Sequence, residues 1–447
     1  MAVCGTIKMQ LTDERDFVVR RWSDLYELDW YILAPVLFLI TFSLFLLKSA
    51  EGGAYFNRQL MFLLPAFLLG FSALFIRVQF WKSISLWVYL VNIFLLLIVL
   101  IMGSSALGAQ RWINIGFIKI QPSEISKIAI IITLAAWFSK HPVKNYFDIL
   151  ASGLIIFVPF ILIFKQPDLG TSLTFVAIYL GMAFWAGATV THLLVVMSPV
   201  LSLIFNAIGS VAFSFGTLQI NNKIIELTIT RYFVLFLGFL LIWFLINYKP
   251  WKSPWTVLLL SLLMLFNFLI GFIRPVLWSF LQPYQQRRLT IFLNPESDPL
   301  GAGYHIIQSL LAIGNGGFFG YGWQHGRLTK GNYVPAQHTD FVFSICGEEF
   351  GFIGSAFVIC MFAIILCRAL YIAKNSNDQF ASLLSVGIFS YFAFHIFINI
   401  GMSIGIMPIT GVPLILLSYG GTALFVNLFS IFILLSISWR TLPRKIF

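Results

Sequence analysis

Residues 30–48 read WYILAPVLFLITFSLFLLK, with no charged side chain before Lys48. As a helix the run would be about 28 Å long, close to the hydrocarbon thickness of a bilayer. Lipid offers no partner to a polar backbone, so such a segment must pair its own amides, and a helix does this. Comparable apolar runs recur near 59–76, 84–103, 123–138, 148–165, 170–187, 190–208, 231–247, 256–280, 341–367, 381–405 and 420–438. The sequence therefore predicts an all-α, polytopic integral membrane helix bundle of about twelve spans.

Composition agrees: 59% of the 447 residues are hydrophobic and 10% charged, with 48 Phe, which excludes an ordinary soluble domain. The net charge of +11 raises the question of nucleic acid. The basic residues are scattered over many short connectors instead of forming one aromatic-interleaved patch, which argues against it and for membrane orientation and anionic headgroups. The polar segment before Trp30 carries Arg15, Arg20 and Arg21, so no cleavable leader is expected and the first span stays in the protein. Cys4, Cys346, Cys360 and Cys367 lack metal-ligand spacing and read as unpaired packing residues.

Connector charge sets the expected topology. Arg77 and Lys82, Lys140 and Lys144, Lys249 and Lys252, and Arg368 and Lys374 fall on the side of the amino terminus. Arg440, Arg444 and Lys445 join them, so both termini are expected in the cytoplasm. This gives a cytoplasmic segment 1–29, one membrane domain 30–440 and a tail 441–447. The outer side then holds the loops 104–122 and 281–340, and function on a rigid bundle is expected there.

Five polar stretches interrupt the apolar background. In QPSEISKIAI (121–130), Pro122 suits a first helical turn and Glu124 and Lys127 share a helix face; they form either a structural ion pair or part of a polar cavity for a headgroup. In KQPDLGTS (165–172), Asp168 and Thr171 can cap the next helix, and Lys165 would face an anionic headgroup. In NPESDPLGAGYHIIQSLLAIGNGG (294–317), which follows Arg287 and Arg288, Gly301 and Gly303 let the chain fold tightly around Asp298. A carboxylate held on such a turn beside an apolar wall suits a general base, though an Asx-turn uses the same residues.

The loop 305–340 gathers His305, Gln308, His325, Lys330, His338 and Asp340, with Glu348 and Glu349 entering the next span. No third ligand is spaced for zinc, so orienting hydrogen bonds are expected of His338 and Asp340. Glu348 and Glu349 point to different helix faces, so at most one lines a shared cavity. Finally, Pro408, Gly411 and Pro413 break NIGMSIGIMPITGVPLILLSYGGT (399–422) and predict a re-entrant loop buried in protein.

These five stretches, in this order, resemble the SEDS family (shape, elongation, division and sporulation), to which the RodA and FtsW proteins of bacterial cell-wall synthesis belong. The version GWQHGRLTKGNYVPAQHTDF is more similar to RodA than to FtsW. The resemblance implies a peptidoglycan glycosyltransferase of the bacterial cytoplasmic membrane that polymerises lipid II at its outer face, partnered by a class B penicillin-binding protein. It implies Asp298 as the essential loop carboxylate and Glu124 and Lys127 as cavity residues. Lys165, Arg288, Gln308, His338, Asp340 and Glu348 complete the expected substrate-binding set. A bound Mg²⁺ or Mn²⁺ fits such a reaction, but no sequence pattern specifies one.

The chain departs from the family's pattern in three places. Asn294 stands where Asp is frequent, Ala336 where Glu is usual, and 209–255 reads as two spans added to a ten-span core. A lipid II flippase, or a catalytically idle scaffold for a penicillin-binding protein, would share the many-span bundle; the clustering of polar groups at the outer edge favours the enzyme.

Overall fold

The computed structural model describes residues 28–106, 109–115, 118–166, 168–198, 217–220, 223–226 and 301–441, with positions 262, 265, 286, 288, 291, 292 and 298. The apolar runs form helices where the sequence puts them: α1 Trp30–Ser49, α2 Ala54–Phe75, α3 Val78–Met102, α4 Pro122–Phe138, α5 Tyr146–Lys165 and α6 Leu169–Trp185. After the expected outer loop come α7 Ala302–Gly316, α8 Val342–Asn375, α9 Gln379–Ser403 and α10 Gly421–Thr441. Among the described residues, α1, α2, α3, α5, α8, α9 and α10 are long and apolar enough to cross a bilayer, and α6 is a shorter apolar helix.

The expected span 190–208 is helical over 190–198, and its remainder lies outside the described residues. The expected spans 231–247 and 256–280 also lie outside them, apart from Leu262 and Leu265, which are helical. Within the stretch 209–255 the described part is an antiparallel hairpin, Thr217–Ile220 paired with Lys223–Glu226.

Burial distinguishes the centre of the bundle from its rim. In α9 and α10, 78% and 72% of the apolar window is buried, against 17% in α3, so α9 and α10 are core helices and α3 faces lipid. Helix α9 packs on α4, α6, α8 and α10, and α2 packs along α10. A helix enclosed by protein can carry polar groups that lipid would reject, and α9 holds buried His395, Asn399 and Ser403.

One end of the bundle is closed by an ionic clasp. Asp29, before α1, accepts from Arg368 Nε at 2.6 Å and Ser438 Oγ at 2.8 Å. Arg440 Nη2 donates to the carbonyls of Leu74 and Phe75 at 3.1 and 3.0 Å, satisfying the end of α2.

The opposite end carries the loops. An antiparallel meander, Ser104–Ala106, Ala109–Ile115 and Ile118–Ile120, leads into α4. The break predicted around Pro408 and Pro413 is present: residues 404–420 are non-helical, and side chains from α9 bond their backbone, as does Ser418 Oγ, which accepts from Leu414 N at 2.8 Å and itself donates to Thr339 O at 2.6 Å.

A second break, inside α8, was not expected. Gly351 adopts φ 63° and ψ −158°, a conformation open essentially to glycine. The freed backbone groups pair instead with the Gly-rich segment that follows α7: Phe352 N and Ile353 N donate to Gly317 O and Phe318 O, while Tyr321 N and Gly322 N donate to Glu348 O and Glu349 O, all at 2.9–3.2 Å.

Candidate active site

Asp298 lies just ahead of α7, and its carbonyl accepts from Gly301 N at 3.3 Å and Gly303 N at 3.1 Å, which makes the tight turn expected of GAG. Its carboxylate rests directly over Gly301: a methyl group there would lie 2.5 Å from Oδ1 and 2.6 Å from Cγ. The absence of a side chain at Gly301 thus creates the seat for the acid.

One turn into α7, His305 is half-buried against Phe341, with ring centroids 6.1 Å apart. Burial and the charge of Arg288 both push its pKa down, so it is neutral near pH 7. Arg288 Nη1 and Asp340 Oδ2 each come within 3.6 Å of the position that a side chain on Gly411 would fill. Arg288, Asp340 and the re-entrant turn therefore converge around a residue that has no side chain. Desolvation raises the Asp340 carboxyl above its ordinary range, opposed by the charges of Arg288 and His338 and reinforced by that of Asp168. His338 stacks flat on Tyr55 at 3.8 Å, with Tyr419 tilted against the same ring at 4.8 Å.

Asp168 caps α6 as expected, accepting from Thr171 N at 3.3 Å and Thr171 Oγ1 at 3.0 Å. It also accepts a hydrogen bond from Gln121 Nε2 at 3.3 Å and lies 3.9 Å from Arg111 Nη1, so it joins the loop before α4 to the start of α6. Gly170 follows at close quarters to the re-entrant segment: a Cβ there would sit 2.7 Å from Val412 and 2.9 Å from Thr410 O.

Glu124 and Lys127 face each other as the spacing predicts. Nζ donates to Oε1 at 2.7 Å, and Lys127 is completely buried. The ammonium also lies 4.9 Å from the ring centre of Tyr391, whose hydroxyl donates to Asn427 at 2.6 Å. Glu124 Oε2 is buried and takes no donor among the described residues. Among the described residues, the ion pair is therefore bonded through one carboxylate oxygen of Glu124.

Three expected site residues make no side-chain bond to this cluster among the described residues. Glu348 is fully buried, and its carboxylate caps the single turn Arg327–Lys330, accepting from Leu328 N, Thr329 N and Thr329 Oγ1 at 2.8, 2.9 and 2.6 Å. Its neighbour Glu349 turns to a different partner, Ser49 at the end of α1. Lys165 is exposed at the carboxyl end of α5, favourable to the helix dipole but with no side-chain bond into the cluster. Gln308 is half-buried on α7 and makes no side-chain hydrogen bond to the described residues.

Sequence reasoning passed over Asn399, His395, Arg111 and Tyr55. The one signal for the first two was a polar side chain inside a run that proved to be interior. No group of three or more His, Cys, Asp or Glu converges among the described residues, and Asp168 and Asp340 each have an arginine nearby. Among the described residues, these groups do not make a Mg²⁺ or Mn²⁺ cage.

The cell cycle protein family that groups FtsW, RodA and SpoVE matches the chain over residues 23–227 and 229–442. The chain belongs to this family, the SEDS proteins. It is 36% identical to the peptidoglycan glycosyltransferase RodA of Treponema pallidum over 362 residues, 78% of this chain and 82% of that protein. Against the peptidoglycan glycosyltransferase MrdB of Escherichia coli K12 the identity is 31% over 418 residues, 93% and 94% of the two chains. A chain from a peptidoglycan synthase complex that coordinates polymerisation and crosslinking superposes with a TM-score of 0.67 at 25% identity, covering 92% of this chain and 98% of that one. RodA of Thermus thermophilus superposes at 0.57 with 21% identity, covering 92% and 97% of the two, and supports the helical membrane fold.

Proposed function

We propose that this SEDS protein is a peptidoglycan glycosyltransferase that polymerises lipid II by inverting transfer during cell elongation. The observation that carries the reading is the seat of Asp298. Its carboxylate lies over Gly301 at the start of α7, the helix whose first turn brings His305 beside Arg288, at the loop end of a membrane bundle. A hydroxyl of one lipid-linked sugar attacks the anomeric carbon of the growing chain. The new glycosidic C–O bond forms as the bond from that carbon to the polyprenyl diphosphate oxygen breaks. Asp298 accepts the hydroxyl proton, and the cations Arg288 and Arg111 offset the charge gathering on the diphosphate. A single displacement needs one base and no carboxylate nucleophile.

In this reading the loop end faces the exterior of the bacterial cytoplasmic membrane, both termini face the cytoplasm, and 209–255 contributes two spans beyond a ten-span core. The partner is a class B penicillin-binding protein, consistent with the likeness to a chain of a synthase complex. The test is polymerisation of lipid II by the purified protein with its partner, followed on a gel. Asp298→Asn and Asp298→Ala are expected to lower the rate by roughly 10²–10⁴ while the protein still folds and binds its partner. Full activity in both variants removes the assignment. Translocation of fluorescent lipid II in proteoliposomes without polymer would instead favour a transporter.

A further inference from the structure

Asn399 is completely enclosed near the loop end of α9, a helix of 25 residues that contains no Asp, Glu, Lys or Arg. A buried primary amide is costly unless its hydrogens are used. Both are: Nδ2 donates to the carbonyl of Asp340 at 2.8 Å and to that of Val412 at 2.8 Å. These acceptors belong to separate segments, the loop that carries Asp340 and the re-entrant turn that carries Gly411.

The same helix face continues the pattern at i−4 and i+4. His395 Nδ1 donates to Pro413 O at 3.0 Å, since a carbonyl can only accept. At the other side of Asn399, Ser403 O accepts from Ser309 Oγ of α7 at 2.7 Å. Positions 395, 399 and 403 thus line one stripe of α9 that fastens the re-entrant turn, the Asp340 loop and the helix following Asp298. His395 also joins that turn to Thr174 of α6, 3.3 Å from Nε2, but of the three Asn399 alone joins the turn to the Asp340 loop, and it does so with two hydrogens on one nitrogen, which no other side chain of its size supplies.

We infer that Asn399 is a positioning residue for the glycosyl transfer: by holding the Asp340 and Val412 carbonyls to one amide, it sets the separation between the Asp340 carboxylate and the Gly411 turn where Arg288 lies. The inference rests on the glycosyltransferase reading. It deepens that reading by assigning the geometry of the anion-facing cluster to a residue that touches no substrate.

The experiment compares wild type, Asn399→Ala and Asn399→Asp as full chains with the partner transpeptidase, using fluorescent lipid II. Wild-type polymer formation is the control: if wild type makes none, the glycosyltransferase reading fails before Asn399 is tested. Asn399→Ala is expected to lower kcat on the order of 10–100-fold with KM for lipid II changed by less than about threefold, as expected for a misplaced rather than a missing group. Wild-type kcat in that variant overturns the inference, as does a loss carried wholly by KM.

Asn399→Asp keeps the shape, which covers the case in which the alanine variant does not fold. Ionised, its carboxylate faces two carbonyls with nothing to donate; protonated, it donates to one. Its activity relative to wild type at the same pH is therefore expected to rise as pH falls from about 8 to about 5.5. Taking the ratio to wild type cancels the titration of neighbours that face this region: His395 on α9, Asp340 and His338 on the loop, Arg288 at the turn, His305 on α7, Asp168 before α6 and Lys127 on α4. A ratio that stays flat over this range overturns the inference.

Discussion

Gly301→Ala tests the catalytic assignment without touching an ionisable group. The added methyl would lie 2.5 Å from Asp298 Oδ1 and 2.6 Å from Cγ, and closer still to Oδ2. Ordinary carbon contacts begin near 3.5 Å, so the carboxylate must retreat by about 1 Å. It can do so because it is the end of a side chain and not backbone, and the φ of Gly301, −105°, lies outside the left-handed region. The fold is therefore expected to survive while the base is displaced.

A reacting group misplaced by about 1 Å costs on the order of 10²-fold in rate, equivalent to about 2.7 kcal/mol in the barrier. The measurement is single-turnover lipid II polymerisation by the purified protein with its partner, beside a thermal unfolding curve. A drop of roughly two orders of magnitude in rate with an unchanged unfolding midpoint is expected. If Gly301→Ala works at the wild-type rate, either the acid's position is irrelevant or Asp298 is not the proton acceptor.

Three other expectations concern stability. Lys127→Met strands the Glu124 carboxylate in a buried site and is expected to cost about 3–5 kcal/mol, whereas the double variant with Glu124→Gln recovers part of it; thermal unfolding in detergent measures both. Asp340 is an acid whose folded-state pKa is raised, so wild type loses stability as pH rises above the ordinary value of 3.8 and through the raised one. Asp340→Asn lacks that loss, and its advantage in unfolding midpoint over wild type is expected to grow between pH 4 and pH 7. Gly351→Ala must hold a side chain at φ 63° with Phe318 O 2.8 Å from the new methyl, and is expected to destabilise by at least about 1–3 kcal/mol, read from the same melts.

The helices were legible because an uncharged run of about twenty residues has few alternatives, and expected and observed ends differ by only a few residues in most of the described spans. Local spacing also foretold the Glu124–Lys127 pair and the Asp168 cap, since both depend on one turn of helix. The broken segment at Pro408 and Pro413 announced itself through residues that cannot continue a helix. What sequence could not supply was the partner of a polar group across the chain. Asn399 meets a carbonyl 59 residues away, and Glu348 spends its carboxylate on a turn 19 and 20 residues earlier. Gly351 looked like one more small residue in an apolar run; only the arrival of Gly320 and Phe318 beside it explains its conformation.

The break in α8 also bears on how the chain is built. Around Gly351 the helix does not close its own ladder, so its two halves could enter a bilayer separately but would leave amides and carbonyls bare in between. The segment that covers them, residues 317–322, is synthesised before α8 and is already available when the span emerges. This membrane helix thus borrows, from an earlier glycine-rich strip of chain, the partners that its own ladder lacks.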